Sequence, residues 1–118
     1  MQQTVFVTGA TGHLGSHLTQ ALVAAGYQVR AGVRDPGKAR SLGAISGELI
    51  EMDLLQPEGL VQALSGVAVL YHAAAHFAHW SRAPERDIEQ ANVQMTENIL
   101  RAAHQAGVRR VVYVSSTG

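Results

Sequence analysis

The chain has 118 residues, with nine Lys plus Arg against nine Asp plus Glu, so no net charge draws it to nucleic acid or to an anionic membrane. It contains no cysteine, which excludes disulfides, thiolate catalysis and cysteine-based zinc sites. No apolar run approaches the roughly 18 residues of a membrane span, and the opening MQQTVFVTGA has no basic n-region. These features predict one soluble, cytoplasmic domain over residues 1–118.

Apolar periodicity then alternates between strand and helix along the chain. TVFVTG reads as a first strand, and Leu14, Leu18, Ala21, Leu22 and Ala25 mark the inner face of a helix closed by Gly26. YQVRAGV is a second strand, followed in DPGKARSLG by at most a short helix with Pro36 in its first turn. GELIEM is a third strand, and PEGLVQALS a helix opened by Pro57 with Glu58 near its positive end. GVAVLYHAAA is apolar throughout, as suits a central strand covered on both faces. After the loop HFAHWSRAP, a long helix is traced by Ile88, Ala91, Met95, Ile99, Ala102 and Ala106 and closed by Gly107. RVVYVS is the last strand. Strands alternating with helices at this spacing predict an α/β, doubly wound parallel sheet of five strands in order 3-2-1-4-5, with ligands at the carboxyl ends of the strands.

TGATGHLG joins the first strand to the first helix and places Gly9, Gly12 and Gly15 in the pattern G-x-x-G-x-x-G. The first glycine permits a tight turn, the second lets backbone approach a pyrophosphate, and the third lets the helix pack closely. The helix amino end adds free N–H groups and a positive dipole, so a dinucleotide is the expected ligand, with Thr11, His13 and Leu14 beside it. Arg34 ends the second strand where an NAD site would carry a carboxylate. A guanidinium suits a 2′-phosphate, with Lys38 as a second cation, which predicts NADP rather than NAD. Asp35 either pairs with Arg34 or caps the short helix after it. Ala73, Ala74 and Ala75 are small enough for the cofactor to lie against their backbone, or for tight packing alone.

His72, His76 and His79 have the spacing H-x-x-x-H-x-x-H, but they leave a strand for a loop and lack a completing ligand, so no metal is assigned. His76, Phe77 and Trp80 either line a substrate pocket or tuck beneath further chain.

TGATGHLG, GYQVRAGVRDPGK, MDLLQPEG, VLYHAAA, ANVQMTENIL and GVRRVVYVSS occur in an order and spacing that resemble the extended short-chain dehydrogenase/reductases. The likeness is greatest to the dihydroflavonol reductase and nucleotide-sugar epimerase branches of the NAD-dependent epimerase/dehydratases, and it spans nearly the whole chain. It implies the amino-terminal, dinucleotide-binding part of a Rossmann-type fold, cut after the fifth strand and without the substrate domain. By the same resemblance Asp53 and Leu54 hold adenine, Asn92 orders the helix near the active site, Ser115 borders the cofactor, and Ser116 is the catalytic serine that binds the substrate oxygen.

The resemblance also calls for Y-x-x-x-K, but four residues after Tyr27, Tyr71 and Tyr113 stand Ala31, Ala75 and Thr117. The expectation is therefore the NADP-binding half of an oxidoreductase for a small-molecule carbonyl or hydroxyl substrate, inactive by itself. The alternative is a dinucleotide-binding or sensing module without chemistry. An uncovered fifth strand predicts a homo-oligomer or association through that edge.

Overall fold

The structure is a computed structural model and describes residues 3–10, 13–37, 47–73 and 85–114. In chain order its elements are β1 (Thr4–Thr8), α1 (His13–Ala24), β2 (Gln28–Val33), β3 (Glu48–Glu51), α2 (Leu60–Ala63), β4 (Val69–Ala73), α3 (Glu85–Ala106) and β5 (Arg110–Val114). The strands form one sheet in the order β3-β2-β1-β4-β5, and every pairing is parallel. This is the expected doubly wound order, and it brings all five carboxyl ends to one edge of the sheet.

β1 lies in the middle because nothing in it needs water: Val5, Phe6 and Val7 are fully buried. Strand side chains alternate between faces. Val5 and Val7 therefore join Val29, Ala31, Val33 and Leu22 on the α1 side, with Leu18, Leu49, Val69 and Tyr71 packed around them. Phe6 points the other way, into a second cluster with Leu60, Leu64, Val67, Leu70, Ile99, Ala102 and Ala103 under α2 and α3. Both long helices end as their glycines predict. Gly26 N–H donates to the Val23 carbonyl at 3.0 Å and Tyr27 N–H to that of Leu22 at 3.1 Å. Gly107 and Val108 repeat this at the end of α3, on His104 at 3.2 Å and Ala103 at 3.0 Å, each pair forming a Schellman closure.

Two details depart from the sequence reading. The buried stripe of α1 runs through Gly15, Thr19 and Leu22 with half-buried Leu18, while Ala21 and Ala25 are exposed. The expected face was drawn from apolar residues, but a glycine and an internally bonded threonine fill it: Thr19 Oγ1 donates to the Gly15 carbonyl at 2.7 Å. Second, the helix expected from Pro57 is the four-residue α2, because Gly59 adopts φ +85° and breaks the helical path. Pro57 and Glu58 instead lie in a turn that Leu60 N–H closes on the Pro57 carbonyl at 3.3 Å. Arg30 of β2 caps this short helix from across the sheet, its Nη1 donating to the carbonyls of Ala63 at 3.2 Å and Ser65 at 2.7 Å. β4 ends at Ala73 with His72 inside it, within the stretch GVAVLYHAAA read as the fourth strand. In the segment after β2, residues 36–37 are helical and 38–46 lie outside the described residues.

No helix among the described residues is long and apolar enough to cross a membrane.

Leu70 is fully buried at the centre of the α2–α3 side. Leu70→Ala should lower unfolding stability by about 2–5 kcal/mol in urea denaturation, through lost burial and a residual cavity. Val23→Ala, on a residue 39% exposed, should change it little. Equal small losses for the two would contradict the placement of this core.

Candidate dinucleotide site

Parallel strands direct each following loop to the same edge, so the predicted residues that are described converge there. Gly9 follows β1 at φ +66°, a conformation that favours glycine. A Cβ on Gly9 would lie 3.1 Å from the Ala73 carbonyl oxygen and 3.2 Å from the Ala73 Cβ, so the turn after β1 rests on the end of β4. Ala73 is only 5% exposed, and its small side chain is used in this packing. A Cβ on Gly15 would overlap the Gly9 carbonyl oxygen and lie 2.8 Å from its carbonyl carbon. The first turn of α1 is thus pressed onto the glycine turn, with the helix amino end directed at the crevice between β1 and β4, where the strand order reverses. Leu14 is partly exposed beside it. Backbone N–H groups at such a helix start suit a pyrophosphate.

Arg34 is exposed immediately after β2. Beyond β3, Asp53 and Leu54 are half-buried. Asp53 Oδ1 accepts the Leu55 N–H at 2.9 Å and the Asp53 carbonyl accepts the Gln56 N–H at 2.9 Å, so the carboxylate is set in a tight turn. The Leu54 side chain packs on the α2–α3 core. Asn92 is half-buried on α3, one helical turn before Thr96 and therefore closer to the carboxyl edge. Thr11, Gly12, Lys38, Ala74, Ala75, His76, Phe77, His79, Trp80, Ser115 and Ser116 lie outside the described residues, as does the side chain of His13.

Two polar contacts that were not singled out in the sequence connect this edge to α3. His72 is 3% exposed, with Nδ1 2.7 Å from Thr8 Oγ1 and Nε2 3.2 Å from Thr96 Oγ1. The Tyr113 ring meets it edge-on, with centroids 5.6 Å apart. With both ring nitrogens held by threonines, His72 ties β1, β4 and α3 together directly beneath Gly9. Burial lowers its pKa, because the cationic form loses hydration that no carboxylate among these contacts replaces. Farther along α3, Asn98 is 5% exposed, and its Nδ2 donates to the Leu54 carbonyl at 2.8 Å. Asn98 lies on the flank of the stripe formed by Met95, Ile99, Ala102 and Ala103, and a polar residue bordering a buried stripe was the available signal.

A lowered His72 pKa makes folding depend on pH. Once pH falls below the ordinary value of 6.5, the unfolded chain gains a proton that the folded chain excludes. The stabilisation is complete above that value and declines as pH falls towards the folded pKa. His72→Gln keeps a donor and an acceptor but cannot titrate. Between about pH 7.5 and 5.5 the Tm of the wild type should therefore fall more steeply than that of the variant. Parallel profiles would remove the assignment.

The sequence profile of the NAD-dependent epimerase/dehydratase family matches residues 5–118. The chain is 41% identical over 115 residues to sterol demethylase protein B of Methylococcus capsulatus, covering 98% of this chain and 35% of that protein. It is 39% identical over 116 residues to a putative dihydroflavonol 4-reductase of Synechocystis, covering 98% and 33%. The chain thus spans about a third of the length of the curated relatives it matches. A short-chain dehydrogenase/reductase superfamily protein from Agrobacterium tumefaciens with bound NAD superposes with TM-score 0.77 at 34% identity, over 97% of this chain and 33% of that one. The triphenylmethane reductase of Citrobacter in complex with NADP(H) gives TM-score 0.72 at 33% identity, over 93% and 36%. Sheet order, glycine turn and a family match over almost the entire sequence agree, and the chain belongs to the NAD-dependent epimerase/dehydratase family.

Proposed function

We propose that the chain is the NADP-binding half of an oxidoreductase acting on a carbonyl or hydroxyl group of a small molecule. The observation that carries this reading is the contact set Gly15–Gly9–Ala73, which packs α1 and β4 around one turn and leaves the amino end of α1 to face an anion. In this reading the pyrophosphate lies over Gly9, Thr11 and Gly12, with His13, Leu14 and Gly15 opening the helix beneath it. Arg34 and Lys38 take the 2′-phosphate, and Asp53 and Leu54 take the adenine. Ala73, Ala74, Ala75, Asn92 and Ser115 border the nicotinamide half. Ser116 donates a hydrogen bond to the substrate oxygen. The cofactor, when bound, supplies or accepts hydride. These 118 residues contain no Y-x-x-x-K, so their task is binding and orientation, and the chain alone should bind cofactor without turnover.

Solved relatives are described with bound NAD or with NADP(H), so the cofactor type depends on local side chains. Arg34 is exposed at the end of β2, where it can pair with a phosphate without disturbing the core. Titration of the chain should give tighter binding of NADPH than of NADH. Arg34→Ala should weaken NADPH by about 10- to 100-fold, the range of a charge-assisted contact, and leave NADH nearly unchanged. Equal affinities unaffected by the substitution would reject the 2′-phosphate assignment, and no binding of either nucleotide would reject the dinucleotide reading itself.

A further inference from the structure

We infer that Asn98, held by Gln94, is a positioning residue for the adenine subsite, fixing the Asp53–Leu54 turn so that its carboxylate discriminates a base by the group at position 6. The inference rests on the dinucleotide reading above and extends it to a buried residue of α3 behind the site.

Asn98 is 5% exposed in the helix packed under the sheet. A buried side-chain amide is costly unless its donors and acceptor are matched. Here Nδ2 donates to the Leu54 carbonyl at 2.8 Å, and Oδ1 accepts from Gln94 Nε2 at 2.8 Å, one helical turn earlier. The second bond sets the orientation of the amide, so that its nitrogen faces the loop. The Leu54 carbonyl is thereby anchored from within the core. On the other side of the same turn, Leu55 N–H donates to Asp53 Oδ1. The carboxylate and the anchored carbonyl belong to adjacent residues, so holding one restricts the other.

The location gives this rigidity a use. With the pyrophosphate at the glycine turn and the ribose phosphate beyond β2, the base continues towards the end of β3, where Asp53 lies. Adenine presents an amino donor at position 6, whereas hypoxanthine presents a carbonyl acceptor there. A carboxylate accepts from the first and repels the second, but only if it is held in place. The anchored turn supplies that placement, and relaxing it lets the carboxylate turn away or admit water.

The test compares the intact chain with Asn98→Ala, Gln94→Ala and Asp53→Asn, measuring affinity for NADPH and for its hypoxanthine analogue, reduced nicotinamide hypoxanthine dinucleotide phosphate. The wild type should prefer the adenine form by about tenfold or more, and Asn98→Ala should bring the ratio to within about twofold. Asp53→Asn should also collapse the ratio. Gln94 is exposed and its removal leaves the core intact, so Gln94→Ala should fold and give an intermediate ratio even if Asn98→Ala does not fold. General weakening of the fold would lower both affinities together and leave their ratio unchanged, and that result overturns the inference. A collapse with Asn98→Ala but not with Asp53→Asn overturns it too, since Asn98 would then act by another route. Wild-type binding of NADPH without discrimination overturns the inference while leaving the dinucleotide reading in place, whereas no binding of either nucleotide overturns both.

Discussion

The constraint on which the site depends is a missing methyl group. At Gly15 a Cβ would enter the Gly9 carbonyl, and at Gly9 a Cβ would press on Ala73. Three residues from three elements are therefore packed backbone to backbone at the middle of the carboxyl edge. Any side chain larger than hydrogen at Gly15 would lift α1 from the turn and move its free N–H groups away from the crevice. Within β1, Val5, Phe6 and Val7 serve both faces of the core, while Thr8 at its end bonds His72.

α3 completes the arrangement from below. At about 100° per residue, Thr96 and Asn98 fall on opposite flanks of the stripe made by Met95, Ile99, Ala102 and Ala103. One flank reaches His72 and through it Thr8, at the junction of β1 and β4. The other reaches the turn after β3 through Leu54. The apolar stripe provides the burial, which is non-directional and would tolerate some sliding or rotation of the helix. The polar flanks have directions and distances, and they fix the helix in register with two points of the carboxyl edge, its middle and the turn after β3. Each buried polar group here has a partner, so this specificity comes without an unsatisfied donor or acceptor among the described buried side chains.

The sequence shows the large-scale pattern because that pattern is repeated at many positions. Five apolar runs, helical spacing between them and glycines after the helices give the same architecture independently, and the observed strand order agrees. Details carried by single residues were harder to see. Gly59 reads as an ordinary helix residue until its positive φ moves the start of α2 from Pro57 to Leu60. Thr19 looks too polar for a buried face until its hydroxyl is seen to bond within its own helix. His72 was legible as part of a histidine spacing, yet its role depends on Thr8 and Thr96, which lie 64 and 24 residues away. Asn98 was not singled out in the sequence, and its partner on the turn after β3 is fixed only by the folded chain. Spacing reports which face a residue occupies; it does not report which loop will meet that face.

The same distinction separates what is rigid in this site from what is adjustable. Gly9, Gly15 and Ala73 are bound by packing, and changing any of them disturbs the sheet and α1 together. Arg34 is exposed at the end of β2, and the core has no stake in its side chain. If Arg34 selects the nucleotide as proposed, a scaffold of this kind could exchange one nicotinamide nucleotide for another by substitution after β2, without refolding around the glycine turn. Solved relatives with NAD and with NADP(H) superpose on this chain at similar TM-scores, as expected if the common backbone holds what the two cofactors share. In the proposed reading the adenine would lie between these extremes: Asp53 is half-buried, and its turn is fastened to the core through Leu54 and Asn98. On that proposal, recognition of the base would be coupled to the fold more strongly than recognition of the phosphate, and the two should respond differently to substitutions that loosen α3.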